Sequence, residues 1–190
     1  MSQTQEANRY RDHQRAPTIA ERTHGVKTPP TIGIVVDTQN LYTRAFSFGD
    51  KPRLDYQRII GDVAAGAAWV GIACVARPLT NKPIDGFLAF VRTLGLTPVV
   101  WQSPVAAGKM KVNLDALVVR EATCLAVEAH LKEICIVGSD CDYYVVAELC
   151  RQRGIKFSVA GFSHSIGGFM RAQADRVVEL GQDHLIAEAA

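Results

Sequence analysis

Apolar residues in this chain gather in short runs, and between the runs the spacing changes to that of amphipathic helices. Thr31-Ile32-Gly33-Ile34-Val35-Val36 reads as a buried strand that runs straight into Asp37-Thr38-Gln39-Asn40-Leu41-Tyr42. A helix is expected over residues 55–69 and a second buried strand over 70–77. Ile84 to Leu94 reads as a helix stopped by Gly95, and Leu96 to Trp101 as a third strand. Gly108-Lys109-Met110-Lys111 reads as a basic loop. Asn113 to His130 is expected to be a long helix, with Asn113 as its N-cap. A fourth strand is expected over 134–137, a helix from Tyr143 to Arg153 ending at Gly154, and a fifth strand from Lys156 to Ala160. A short helix from Ser165 to Ala174 and an edge strand Val177-Val178-Glu179-Leu180 follow. Alternating strands and helices predict a parallel sheet covered on both faces, in which ligands sit outside the carboxyl ends of the strands.

Composition narrows the picture. With 190 residues and 48% hydrophobic content, the chain has material for one core. The expected organisation is a polar tail over 1–30, one folded domain over 31–182 and a short C-terminal tail over 183–190. Five basic and three acidic residues lie in the first 30, so the excess positive charge is in the tail and the remainder is formally neutral. No apolar stretch approaches the ~20 residues of a membrane helix. The first 28 residues hold no apolar signal core. Five cysteines without metal-binding spacing read as free thiols. A cytoplasmic protein without membrane contact is the expectation, and a homodimer is one form open to a small α/β domain. Neither a P-loop nor a GxGxxG fingerprint is present, which leaves a nucleotide cofactor without support.

Aspartates carry the chemical signal. Asp37 sits where the first strand stops being apolar, and Asp140 and Asp142 sit at the same place on the fourth. If Gly138-Ser139-Asp140-Cys141-Asp142 stays extended, Asp140 and Asp142 point the same way. Asp115 opens the long helix. Each has a purely structural reading too: Asp37 as a turn former, Asp142 as an N-cap, Asp115 as a first-turn acid favoured by the helix dipole. Glu121 falls inside the apolar stripe Leu114, Leu117, Val118, Ala122 and Leu125, so it needs a basic partner or a place behind the metal site.

Asp37-x-x-Asn40, the basic loop leading into Asp115, and Gly138-Ser139-Asp140-Cys141-Asp142 together resemble the NYN domain family of the PIN-like nuclease superfamily. Gly161-Phe162-Ser163 and Ala174-Asp175 with Leu180 are similar to the family's last strand and closing helix. This chain departs in three places: Gly138-Ser139 reverses the family's Ser-Gly order, Val112 stands where a lysine is usual, and Glu121 replaces an aspartate. The resemblance implies a three-layer α/β/α PIN-like domain with a mainly parallel central sheet. It implies metal-dependent hydrolysis of single-stranded or structured RNA, with Asp37, Asp115, Asp140 and Asp142 as catalytic residues and ligands of Mg²⁺ or Mn²⁺.

Around that set, Asn40, Ser139, Lys109, Lys111 and Arg171 are candidates for substrate contact, and Glu121 for support behind the ligands. Local turn formation competes for Asn40 and Ser139, and ordinary solvated charge for the cations. Tyr42, Phe46 and Phe48 are candidates for stacking on an unpaired base, against core packing. Two alternatives stay open: an inactive NYN-fold module that binds RNA or assembles, and a metal-dependent phosphohydrolase acting on a small phosphate ester.

Overall fold

The run Ile32–Asp37 forms β1, and all six of its residues are buried. A strand without an exposed face belongs in the interior of a parallel sheet. The computed structural model places it there, and describes residues 29–77, 83–101, 105–106, 109–110, 114–128 and 130–187. Most of the tail expected over 1–30, together with Lys111, Asn113 and residues 188–190, lies outside the described residues.

The other strands are β2 (Trp69–Ala76), β3 (Leu96–Trp101), β4 (Glu133–Val137), β5 (Lys156–Phe162) and β6 (Arg176–Leu180). They form one six-stranded sheet in the order β3-β2-β1-β4-β5-β6, every pair parallel. The order reverses direction between β1 and β4. Connections on the two sides of that point leave to opposite faces and open a crevice at the carboxyl ends of these strands.

Helices α1 (Thr38–Ala45), α2 (Tyr56–Ala64) and α3 (Asp85–Thr93) contribute to one core. Helices α4 (Leu114–Glu128), α5 (Tyr144–Arg153) and α6 (Gly168–Gln173) contribute to the other. Strand alternation divides β1 between them: Ile32, Ile34 and Val36 join the first core and Val35 the second. By the same alternation Asp37 faces the α4–α5 side. Gly71 in β2 lets the first core close, because a Cβ there would lie 2.4 Å from Leu96 Cδ2 and 2.8 Å from Trp69 Cζ3.

Several expectations shift. Residues 38–45 form a helix that the apolar pattern does not announce, since only Thr38, Leu41 and Ala45 are buried. The helix expected over 55–69 ends at Ala64, where Ala65 and Gly66 take positive φ values of 48° and 81° and turn the chain toward β2. In the expected basic loop, Val105–Ala106 pairs antiparallel with Lys109–Met110. The helix expected from Ser165 starts at Gly168, because Ser165 folds back through its backbone N–H and hydroxyl onto the Phe162 carbonyl.

Candidate functional site

Asp37 ends β1 and caps α1. Its Oδ1 accepts the Asn40 backbone N–H at 2.8 Å, and its Oδ2 accepts the Tyr143 hydroxyl at 2.6 Å. The residue is only 1% exposed. Burial pushes its carboxyl pKa up, and repulsion from Asp140 adds to that; the bonds from Asn40, Tyr143 and the Gln39 backbone pull it partly back. The buried Tyr143 hydroxyl is pushed up as well, by burial first and then by the Asp37 charge.

Beside it, β4 ends at Val137, and Gly138-Ser139 carries the chain across the rim. Gly138 sits where a Cβ would lie 3.1 Å from the Tyr143 ring and 3.2 Å from Asp37 Cβ, so a glycine here leaves the tyrosine its route to Asp37. Ser139 donates its backbone N–H and its hydroxyl to Asn40 Oδ1, both at 3.1 Å. These two bonds tie the ends of β1 and β4 together and fix the orientation of the Asn40 amide. Asn40 and Ser139, expected to contact substrate, are thus engaged with each other, and the turn-forming side chain is Asp37 rather than Asn40.

Asp140 is extended, but the three residues after it are not. Cys141–Tyr143 is a 3-10 turn capped by Asp140, whose Oδ1 accepts the Asp142 N–H at 3.0 Å. The turn gathers ligand atoms of Asp140, Cys141 and Asp142 within 4.8 Å of one another. Asp142 therefore caps nothing, and the exposed Cys141 joins the two acids instead of pointing away. Repulsion, first from Asp140, pushes the Cys141 thiol pKa up, so the thiolate is disfavoured.

Asp115 lies half-buried in the first turn of α4. Its carboxyl pKa is raised by burial and then by Asp140, Asp37 and Asp142 in turn. The charges of three carboxylates from two other segments of the chain thus bear on Asp115, and that of Asp140 on Asp37. Asp37 and Asp115 lie outside the 4.8 Å group, so the set is looser than a single shared coordination sphere. Among the described residues, no lysine or arginine pairs with any of the four.

The outer candidates fare differently. Glu121 is 1% exposed and takes two bonds on Oε1 from Arg120, at 3.0 and 2.6 Å, so a basic neighbour answers its burial. Arg171 is held to Glu179, to the Ser163 carbonyl at 3.1 Å and to the Ile166 carbonyl at 3.2 Å. It fastens α6 to the sheet edge and is not a free phosphate contact. Lys109 lies in the short antiparallel pair. Lys111 is outside the described residues. Sequence reasoning missed Tyr143 and Gly138, whose roles depend on which of Tyr143 and Tyr144 the 3-10 turn buries.

The sequence from 31 to 181 matches the model of the NYN domain. This chain belongs to the NYN domain family. The family has a PIN-like nuclease fold, and its members are usually ribonucleases. Among solved structures, this NYN domain is similar to a protein of unknown function from Vibrio parahaemolyticus RIMD 2210633. The two share 20% identity and a TM-score of 0.68 over 84% of this chain and 98% of the other. At that identity the likeness shows the fold alone. No curated protein matches the chain. No described helix is long and apolar enough to cross a membrane.

Proposed function

We propose that this NYN domain is a divalent-cation-dependent endoribonuclease that hydrolyses RNA phosphodiesters at the β1–β4 rim. One observation supports the reading above the others: after burial, the charge of Asp140 raises the cost of ionising Asp37, and the charges of Asp140, Asp37 and Asp142 that of Asp115, with no basic partner for any of the four among the described residues. Uncompensated carboxylates at a strand-order reversal are an expensive arrangement unless a cation belongs there. An oxygen donor set suits Mg²⁺ or Mn²⁺. Asp140 and Asp142 would hold the ion. Asp37 and Asp115, farther off, would act through bound water or toward a second ion. A bound divalent cation supplies Lewis acidity and a water of lowered pKa.

The chain's own residues do the rest. Tyr143 and the Asn40 amide hold Asp37 in one orientation, and the Asn40–Ser139 pair keeps the two strand ends in register. A phosphodiester is an anion, so the acidic rim alone repels it. Lys109 and Lys111, just ahead of Asp115, are the proposed source of compensating charge. A second reading, an inactive NYN module that binds RNA, draws on the near-complete burial of Asp37 with both oxygens hydrogen-bonded. It requires binding without turnover.

Incubation with single-stranded and structured RNA separates the two. Cleavage is expected with Mg²⁺ or Mn²⁺, and its loss both in EDTA and in Asp140→Asn, by about a hundredfold or more in rate for the variant. Cleavage that survives both changes refutes the metal-dependent assignment. Binding with no turnover under either ion installs the second reading.

A further inference from the structure

Two pairs of aromatic rings stand exposed near the acidic rim, on opposite layers of the fold. Tyr42 on α1 and Phe46, which opens the 3-10 turn Phe46–Phe48 just after it, meet edge to face with ring centroids 5.0 Å apart, and are 44% and 46% exposed. On the other layer, Tyr144 opens α5 and meets Phe169 of α6 edge to face at 5.9 Å, the two being 47% and 54% exposed. Both pairs are tied to the acids by the chain itself. Helix α1 is capped by Asp37, and Tyr144 follows the Cys141–Tyr143 turn, against which α6 packs. About half of each ring stays in solvent, and four such rings in segments that adjoin the carboxylates are not explained by the core.

We propose that the pairs Tyr42–Phe46 and Tyr144–Phe169 are base-stacking platforms that grip a single-stranded polynucleotide on both sides of the aspartates. This rests on the ribonuclease reading above and names its substrate class. Stacking suits rings that stay about half exposed, whereas a base-paired duplex has no free base face to offer. Charge agrees with a nucleic-acid occupant over an apolar peptide. Arg44 follows Tyr42 by two residues and so stands on another side of α1; it is exposed and has no ion-pair partner among the described residues. Lys51 and Arg53 are exposed in the following loop. Phosphates between stacked bases would meet these cations. The exposed His164 is already placed, stacked against Phe162 and bonded to Ser47 Oγ at 3.1 Å, so it is not counted in the platform.

The test uses the full chain and three variants: Tyr42→Leu/Phe46→Leu, Tyr144→Leu/Phe169→Leu, and Asp140→Asn. Binding of a short fluorescein-labelled single-stranded RNA and of a duplex of equal length is read by anisotropy in EDTA. Circular dichroism checks that each variant is folded. Each double variant should weaken single-strand binding about tenfold or more and leave duplex binding unchanged. It should also leave hydrolysis of bis(p-nitrophenyl) phosphate in Mn²⁺, a diester without bases, unaltered. Asp140→Asn should keep its single-strand affinity. Unchanged single-strand affinity in both double variants overturns the proposal, as does equal loss on duplex. So does a wild-type protein that binds neither strand, or one that sediments as a dimer which the leucine substitutions dissolve. Ring-dependent binding with no divalent-dependent cleavage would sink the ribonuclease reading while leaving the platforms in place.

Discussion

A buried carboxylate that accepts one hydroxyl and one backbone amide is expensive to keep charged, and Asp37 is in that position. Tyr143→Phe keeps the ring that Gly138 accommodates and removes only the donor. The metal-free variant should lose about 1.5–3 kcal/mol in urea denaturation, the range for a bond to a charged group. A loss no larger than scatter would mean that the hydroxyl does not hold Asp37. Asp37, Asp140 and Asp142 drew notice in the sequence because they follow the ends of apolar runs, and Asp115 because it stands in the first turn of the long helix. Tyr143 did not. Two adjacent tyrosines differ there by one step of a 3-10 turn, one buried and the next half-exposed, and local pattern carries no information on that phase.

At the scale of elements, buried parallel strands leave the clearest trace, since both faces must be apolar. The third strand matches its expected bounds, the first and second shift by one residue at both ends, and the fourth starts one residue earlier. Helix α1 left little trace, because its cap is an aspartate that also reads as a site residue and only three of its positions are buried. The same limitation hid the tightness of β2. Gly71 reads as a mild weakness in a strand, yet Trp69 and Leu96 pack onto the surface it leaves bare. Gly71→Ala should cost about 1–3 kcal/mol as an overpacked core position, seen as a lowered thermal midpoint. A variant as stable as the parent would show that Trp69 can swing aside freely. Arg171 teaches the converse: its place near the closing helix was right, but three acceptors on the edge strand and the segment before its helix claim the guanidinium.

Over the whole molecule, the strand order concentrates negative charge at one rim, and that has a cost measurable without any substrate. Asp37 and Asp115 both hold protons more tightly folded than unfolded. The metal-free protein therefore gains from their protonation at low pH, and loses that gain as the pH rises through their folded pKa values. Asp37→Asn keeps an acceptor for the Asn40 amide and removes the charge. Its thermal midpoint should exceed that of the parent at neutral pH, with the gap closing toward pH ~4, the ordinary aspartate range. Millimolar Mn²⁺ should raise the parent's midpoint and leave the variant's largely in place, since a ligand that favours the folded state stabilises it by mass action. A gap independent of pH would mean that the Asp37 charge costs nothing. A parallel sheet follows from alternating elements and was legible; its strand order, and the balance of charges across the crevice, required knowing which elements pair and which residues face the rim.

The Asn40–Ser139 clasp joins positions 99 residues apart. A ribosome translating this message releases the first aspartate long before its partners exist, and nothing local can stand in for them. Whatever chemistry the rim performs is therefore withheld from a half-made chain, and a prematurely terminated product that stops short of the fourth strand is born inert.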